Sequence, residues 1–265
     1  MITMRWTFPL LITLGLLTLF TTGCGTNQLN LFSIDQDIEL GRQVSEEIAS
    51  NPDEYPILPE QGNEEVYRYI RNITNRLLST GKVAHRQEFA WQVTIIQDDE
   101  TLNAFATPGG YIYVYTGLIK FLDSEDELAG VLGHEIAHAA QRHSTQQLTQ
   151  VYGLQMLLSV VTGSADPSMI EQIALGLASL RFSRGHESEA DQYSVIYLCE
   201  TSYNATGAAG FFRKMEDSAR PPEFLSTHPD PGNRVSAIDA KAQELGCRGT
   251  STNAQEYARI KRLLP

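Results

Sequence analysis

The pentapeptide His134-Glu135-Ile136-Ala137-His138 constrains this chain more than any other stretch. Ahead of it, Ser124-Glu125-Asp126-Glu127 has the form of a capping box, a serine N-cap with a glutamate three residues on. The apolar spacing that follows predicts a helix from there to about Gln150. On such a helix, residues four apart differ by only about 40° of rotation, so both imidazoles reach one point. Glu135 stands about 100° round, beside that point but not aimed at it. Two imidazoles that share an ion, with a carboxylate placed to handle a water molecule, describe a zinc site on a helix.

A third protein ligand is needed. His143 is the nearest candidate in sequence, but nine residues past His134 a continuous helix has turned about 180°. The metzincin pattern requires a glycine and a third histidine where this chain has Gln141 and Ser144, so that pattern fails. His143 is expected to be a polar surface residue or a group behind the ligands. The stretch Phe182-Ser183-Arg184-Gly185-His186-Glu187-Ser188-Glu189-Ala190-Asp191 offers an acid instead. If a helix starts near His186, Glu187 and Asp191 share a face. Glu187 can then bind zinc while Asp191 accepts the free N–H of a ligand histidine and fixes its orientation. Glu189 points about 200° away from Glu187 and serves as ligand only if Glu187 does not.

The rest of the chain frames this helix. With 42% hydrophobic and 20% charged residues, its 265 residues can bury a core, and a net charge of −12 argues against nucleic acid as a partner. Helices are expected over 35–50, 64–78, 168–180, 186–200, 206–217 and 232–245, with a proline-bearing loop over 51–63. Trp91–Gln97 and Tyr111–Thr116 alternate as strands, and Asn103–Gly110 reads as a turn region. The expected class is α+β, mainly helical, with one domain over 35–265. Tyr111, Ile112, Tyr113, Val114 and Tyr115 form a candidate substrate strand, which would bind a peptide by adding it as another strand. The apolar Val151–Val161 would cover or present a hydrophobic surface.

The first residues carry Arg5, a short apolar run from Leu10 to Phe20, and Thr21-Thr22-Gly23-Cys24. A basic start, an apolar run too short to span a bilayer and small residues at its end describe a secretory signal over 1–23. A cysteine directly after them resembles a bacterial lipobox, with Thr21 where leucine is usual. Cys24 is then the lipidation site, 24–34 a polar tether, and the membrane a partner through the lipid. Export permits a disulfide between Cys199 and Cys247.

Together, Gly133-His134-Glu135-Ile136-Ala137-His138 and Arg184-Gly185-His186-Glu187-Ser188-Glu189-Ala190-Asp191 resemble the CAAX prenyl protease and HtpX family of zinc metallopeptidases. Leu40-Gly41-Arg42, Asn103–Gly110 and Ser226-Thr227-His228-Pro229 followed by Arg234 are further shared landmarks. The chain looks like the exported bacterial branch, without membrane spans and without a tetratricopeptide array after residue 245. The resemblance implies a zincin-like (gluzincin) fold with a small antiparallel sheet. It implies one zinc ion on His134, His138 and Glu187, with Glu135 as general base and Asp191 behind a ligand histidine. It places His228 near the metal, to stabilise an oxyanion or cap the zinc at rest, and lets Arg184 orient acidic groups. The implied function is a metalloendopeptidase degrading misfolded or damaged envelope proteins. The implied location is the periplasmic face of the outer membrane, since Gly25 is not the aspartate that favours inner-membrane retention. The alternative is a latent peptidase that acts mainly as a chaperone-like binder of unfolded chains.

Overall fold

In the computed structural model, residues 30–164, 166–216, 223–229 and 232–265 are described. Cys24, the signal segment 1–23 and most of the tether lie outside them, as do most side chains of the apolar Val151–Val161 segment. Helix α1 (Ile34–Ser50) opens on a reciprocal cap. The Ser33 hydroxyl accepts from the Gln36 N–H at 3.2 Å, and the Gln36 side chain accepts from the Ser33 N–H at 2.8 Å. Its buried stripe is Leu40, Val44 and Ile48. Helix α2 (Glu64–Leu78) buries Val66, Ile70, Ile73 and Leu77 at helical spacing.

Three strands form the sheet: β1 (Gln92–Ile96), β2 (Ala104–Thr107) and β3 (Tyr111–Tyr115), in the order β1-β3-β2. The β1–β3 pair is parallel and the β2–β3 pair antiparallel, so the sheet is mixed where an antiparallel one was expected. The source of the difference is β2, which occupies the expected turn region. Only Pro108–Gly110 turns, with Gly109 at φ 75°. The same topology rules out the candidate substrate strand. Tyr111–Tyr115 is the central strand, hydrogen-bonded on both edges, and has no edge to offer a substrate.

Helix α3 (Thr116–Phe121) leads into α4 (Glu125–Ala140), which carries the histidine pair and is buried at every residue but Glu127. The expected capping box at its start does not form. The Ser124 hydroxyl bonds Asp126, and Glu127 accepts instead from the Asp123 N–H at 2.8 Å. Helix α7 (Arg184–Cys199) and helix α8 (Gly207–Glu216) pack against α4. A Cβ on Gly130 would lie 2.2 Å from the Ala208 backbone nitrogen, so only glycine allows α4 and α8 to cross this closely.

The helix after the histidine pair is not continuous. It ends at Ala140, Arg142 takes φ 63°, and α5 (His143–Val161) starts in a new direction. The Arg142 guanidinium is held by Asp37 and the Phe32 carbonyl, which anchors this break to α1. Helices α6 (Pro167–Ala178), α9 (Glu223–Thr227), α10 (Arg234–Leu245) and α11 (Ala254–Lys261) complete the described elements. The larger core lies between α2, the sheet, α4, α7 and α8; a smaller one joins α1 and α6 to Phe105 and Tyr113. A disulfide between Cys199 and Cys247 ties the end of α7 to the chain just past α10, as expected. Among the described residues, no helix is long and apolar enough to cross a membrane.

Candidate metal centre

Four buried side chains converge: His134 and His138 from α4, Glu187 from the first turn of α7, and His228 from the end of α9. The helical period accounts for the first pair, as the sequence predicts. Glu187 arrives because Ser183 caps α7, its side chain accepting from the His186 N–H at 3.1 Å, so that the helix begins facing α4. The Nε2 atoms of His134 and His138 are 2.9 Å apart. Each lies 3.4 Å from a Glu187 carboxylate oxygen. His228 Nδ1 lies 3.2 Å from His134 Nε2 and 3.1 Å from Glu187 Oε1.

These separations suit a tetrahedral zinc ion, whose donors at bonds of about 2.0–2.1 Å stand roughly 3.3 Å from one another. The protonation pattern agrees. Asp191 meets His134 Nδ1 at 2.9 Å and takes its N–H, which leaves Nε2 as a bare lone pair. His138 Nδ1 is engaged by His143 Nδ1 at 3.0 Å. Two imidazole lone pairs at 2.9 Å repel unless a cation lies between them. The donor set fits zinc.

Charge is balanced by Arg234 at the start of α10. It is 3% exposed and donates to Asp191 at 2.7 and 2.8 Å and to Glu187 at 2.9 Å, with its guanidinium 4.0 Å from the Phe212 ring centroid. Burial pushes the Glu187 carboxyl up, but His228, His134 and His138 outweigh it and hold the carboxyl well below the usual range. Asp191 is likewise raised by burial and then lowered further by Arg234 and His134. Burial drives the His138 imidazole well below its ordinary value, which keeps it neutral and ready to ligate.

Glu135 is fully buried, and neither carboxylate oxygen has a hydrogen-bond partner. Burial pushes its carboxyl up to about 8. His228 Nε2 is 3.5 Å away, and the Ala106 N–H of β2 faces Glu135 without completing a hydrogen bond. With its pKa raised to about 8, this carboxyl holds its proton at neutral pH, and positive charge at the neighbouring ligand cluster is what would ionise it to act as a base.

Arg184, expected to orient the acids, is exposed on the first turn of α7; Arg234 does that work. His143 is not on the opposite face. The break at Arg142 folds it back against His138, and it is fully buried. Glu189 is absent from the four-residue cluster and reaches His143 instead, its Oε2 3.5 Å from Nε2. The role of Arg234 was not legible, because its partners lie 43 and 47 residues away in sequence and no local spacing links them.

Comparison with known proteins agrees with this geometry. Residues 64–242 match the model of peptidase family M48. The chain is 31% identical over 251 residues to a protein named beta-barrel assembly-enhancing protease in Yersinia pestis, covering 88% of this chain and 49% of that protein. It is 28% identical over 237 residues to the protein of that name in Escherichia coli, covering 83% and 47%. The human mitochondrial metalloendopeptidase OMA1 is 27% identical over 192 residues, covering 65% of this chain and 36% of its own. The chain thus spans about half the length of the bacterial relatives.

Proposed function

Because the chain belongs to peptidase family M48, we propose that it is a zinc-dependent metalloendopeptidase, held closed in the arrangement described. The observation that carries this reading is the buried Glu135 carboxyl, without a hydrogen-bond partner, beside the converging donors of His134, His138 and Glu187. Bound zinc supplies Lewis acidity, polarising a carbonyl and acidifying a water molecule. Asp191 and Arg234 hold the ligands in place. Glu135 takes the proton and delivers it to the leaving amine. His228 would supply a fourth donor, at a position that a catalytic zinc site keeps open. Turned away from that position, its ring would donate a hydrogen bond to a developing oxyanion.

Substrate pairing moves from β3 to the outer edge of β2. The Ala106 carbonyl accepts from the Ser144 hydroxyl at 3.4 Å, so it faces away from β3, toward α5. That edge is buried, with Ile173, Ala174 and Leu177 of α6 in the same core as Phe105. The Phe224 N–H also donates to the Leu102 carbonyl at 3.2 Å. Opening therefore requires α6 and the His228 segment to shift. Unfolded envelope proteins suit backbone pairing, which tolerates many sequences, and the names of the bacterial relatives support an envelope substrate. A lipid at Cys24 and an outer-membrane position remain part of this proposal.

The test is casein cleavage by the zinc-loaded full chain. Wild type should cleave, Glu135→Gln should lose at least about 100-fold, the scale of a general base, and His228→Ala should change the rate without abolishing zinc binding. Equal cleavage by wild type and Glu135→Gln would contradict the assignment. Zinc binding without cleavage in any variant would favour a chaperone-like binder, whose closed site is the feature described here.

A further inference from the structure

The three acids of Glu187-Ser188-Glu189-Ala190-Asp191 all meet the histidine cluster, but Glu189 does so from the other side. Its carboxylate approaches His143 Nε2 at 3.5 Å without closing a hydrogen bond, whereas His143 Nδ1 lies 3.0 Å from His138 Nδ1. His143 is fully buried and stacked on His186, with ring centroids 4.3 Å apart and planes 14° from parallel. Neither ring nitrogen of His186 has a hydrogen-bond partner, so it acts here as a flat plate. On the other ring of the pair, Phe182 stacks against His138 at 4.0 Å. Both imidazoles are thereby fixed in plane, and only the placement of protons remains to be set.

That placement follows from the ligand role of His138. To bind a metal through Nε2 it must carry its proton on Nδ1. The Nδ1–H then donates to His143 Nδ1, which must be bare. The proton of His143 is therefore on Nε2, the atom that faces Glu189. We propose that His143 orients His138 on the metal, as Asp191 does for His134, with the Glu189 carboxylate behind His143 as its electrostatic partner. Glu189 and His143 are positioning residues. The inference rests on the metal-centre reading above, and it assigns the middle acid of the motif a separate task from its two neighbours.

The test measures zinc affinity of the full chain by chelator competition, together with the melting midpoint of each metal-free variant. His143→Asn places an amide oxygen where Nδ1 stands and can accept from His138; His143→Gln extends past that position. The expected result is a loss of zinc affinity of about 10–100-fold for His143→Gln, the scale of ligand-orienting partners. Most of the affinity should be kept in His143→Asn, and Glu189→Gln should show a smaller loss. The metal-free midpoints of the two His143 variants should match. Wild-type affinity in His143→Gln would overturn the relay, as would equal losses in the Asn and Gln variants, which would mean packing alone. No zinc in the wild type would instead remove the metal centre itself, and the relay with it.

Discussion

At the scale of single residues, Arg234 is the position where charge and burial meet. It compensates two carboxylates, Glu187 and Asp191, that are fully or almost fully buried. Replacing it with methionine keeps the contact with Phe212 but leaves both acids uncompensated. Breaking a buried pair in this way costs about 3–5 kcal/mol. Urea unfolding of the metal-free protein should show that loss, and zinc should recover part of it, because the ion supplies positive charge at the same carboxylate. Equal stability of Arg234→Met and wild type without zinc would contradict the ion-pair account. The residues legible in the sequence were those related by helical period or by a shared short motif: His134, Glu135, His138, Glu187 and Asp191. The charge-balancing role of Arg234, and the choice for His143 of a place behind the ligands over the surface, were not, for a physical reason. The first acts across the fold, and the second depends on a left-handed residue, Arg142, that a helical rotation argument cannot anticipate.

At the scale of elements, the mixed sheet is the main departure from the sequence reading. Ala104-Phe105-Ala106-Thr107 is short and half alanine, and the Pro-Gly-Gly after it dominates the local pattern. It becomes a strand because β3 offers it a partner and the second core buries Phe105 against Tyr113, ring centroids 4.7 Å apart. Helix α1 holds this corner through Gly41. A Cβ there would fall 1.9 Å from the Pro108 carbonyl oxygen, so the glycine in Leu40-Gly41-Arg42 marks a close approach of helix and turn. Gly41→Ala should cost about 1–3 kcal/mol through overpacking, read as a lower urea midpoint. An unchanged midpoint would show that α1 is free to move off the turn. By contrast, α2 was legible to the residue, because its apolar stripe and its flanking loop signals agree.

At the scale of the whole molecule, the Cys199–Cys247 bond closes a separation of 48 residues around α8, α9 and α10. Those elements carry His228 and Arg234, so the bond restrains the half of the centre that does not come from α4 or α7. A loop of this size is stabilised by about 2–4 kcal/mol. Cys199→Ser with Cys247→Ser should lower the melting midpoint accordingly, and an unchanged midpoint would show that packing alone holds α10. The fold as drawn is closed over its own chemistry: donors, base and the β2 edge are all buried. Sequence spacing identified the reagents of the site but not this closure, which depends on how α6 and the His228 segment pack over β2.

The central claim is that His134, His138 and Glu187 hold one metal ion beside Glu135. The most direct measurement is the zinc content of the purified full chain, for wild type, Glu135→Gln and His138→Ala in parallel. One zinc per chain in wild type and Glu135→Gln, with loss of zinc in His138→Ala, is the expected result. Zinc absent from the wild type, or retained in full by His138→Ala, would contradict the centre described here.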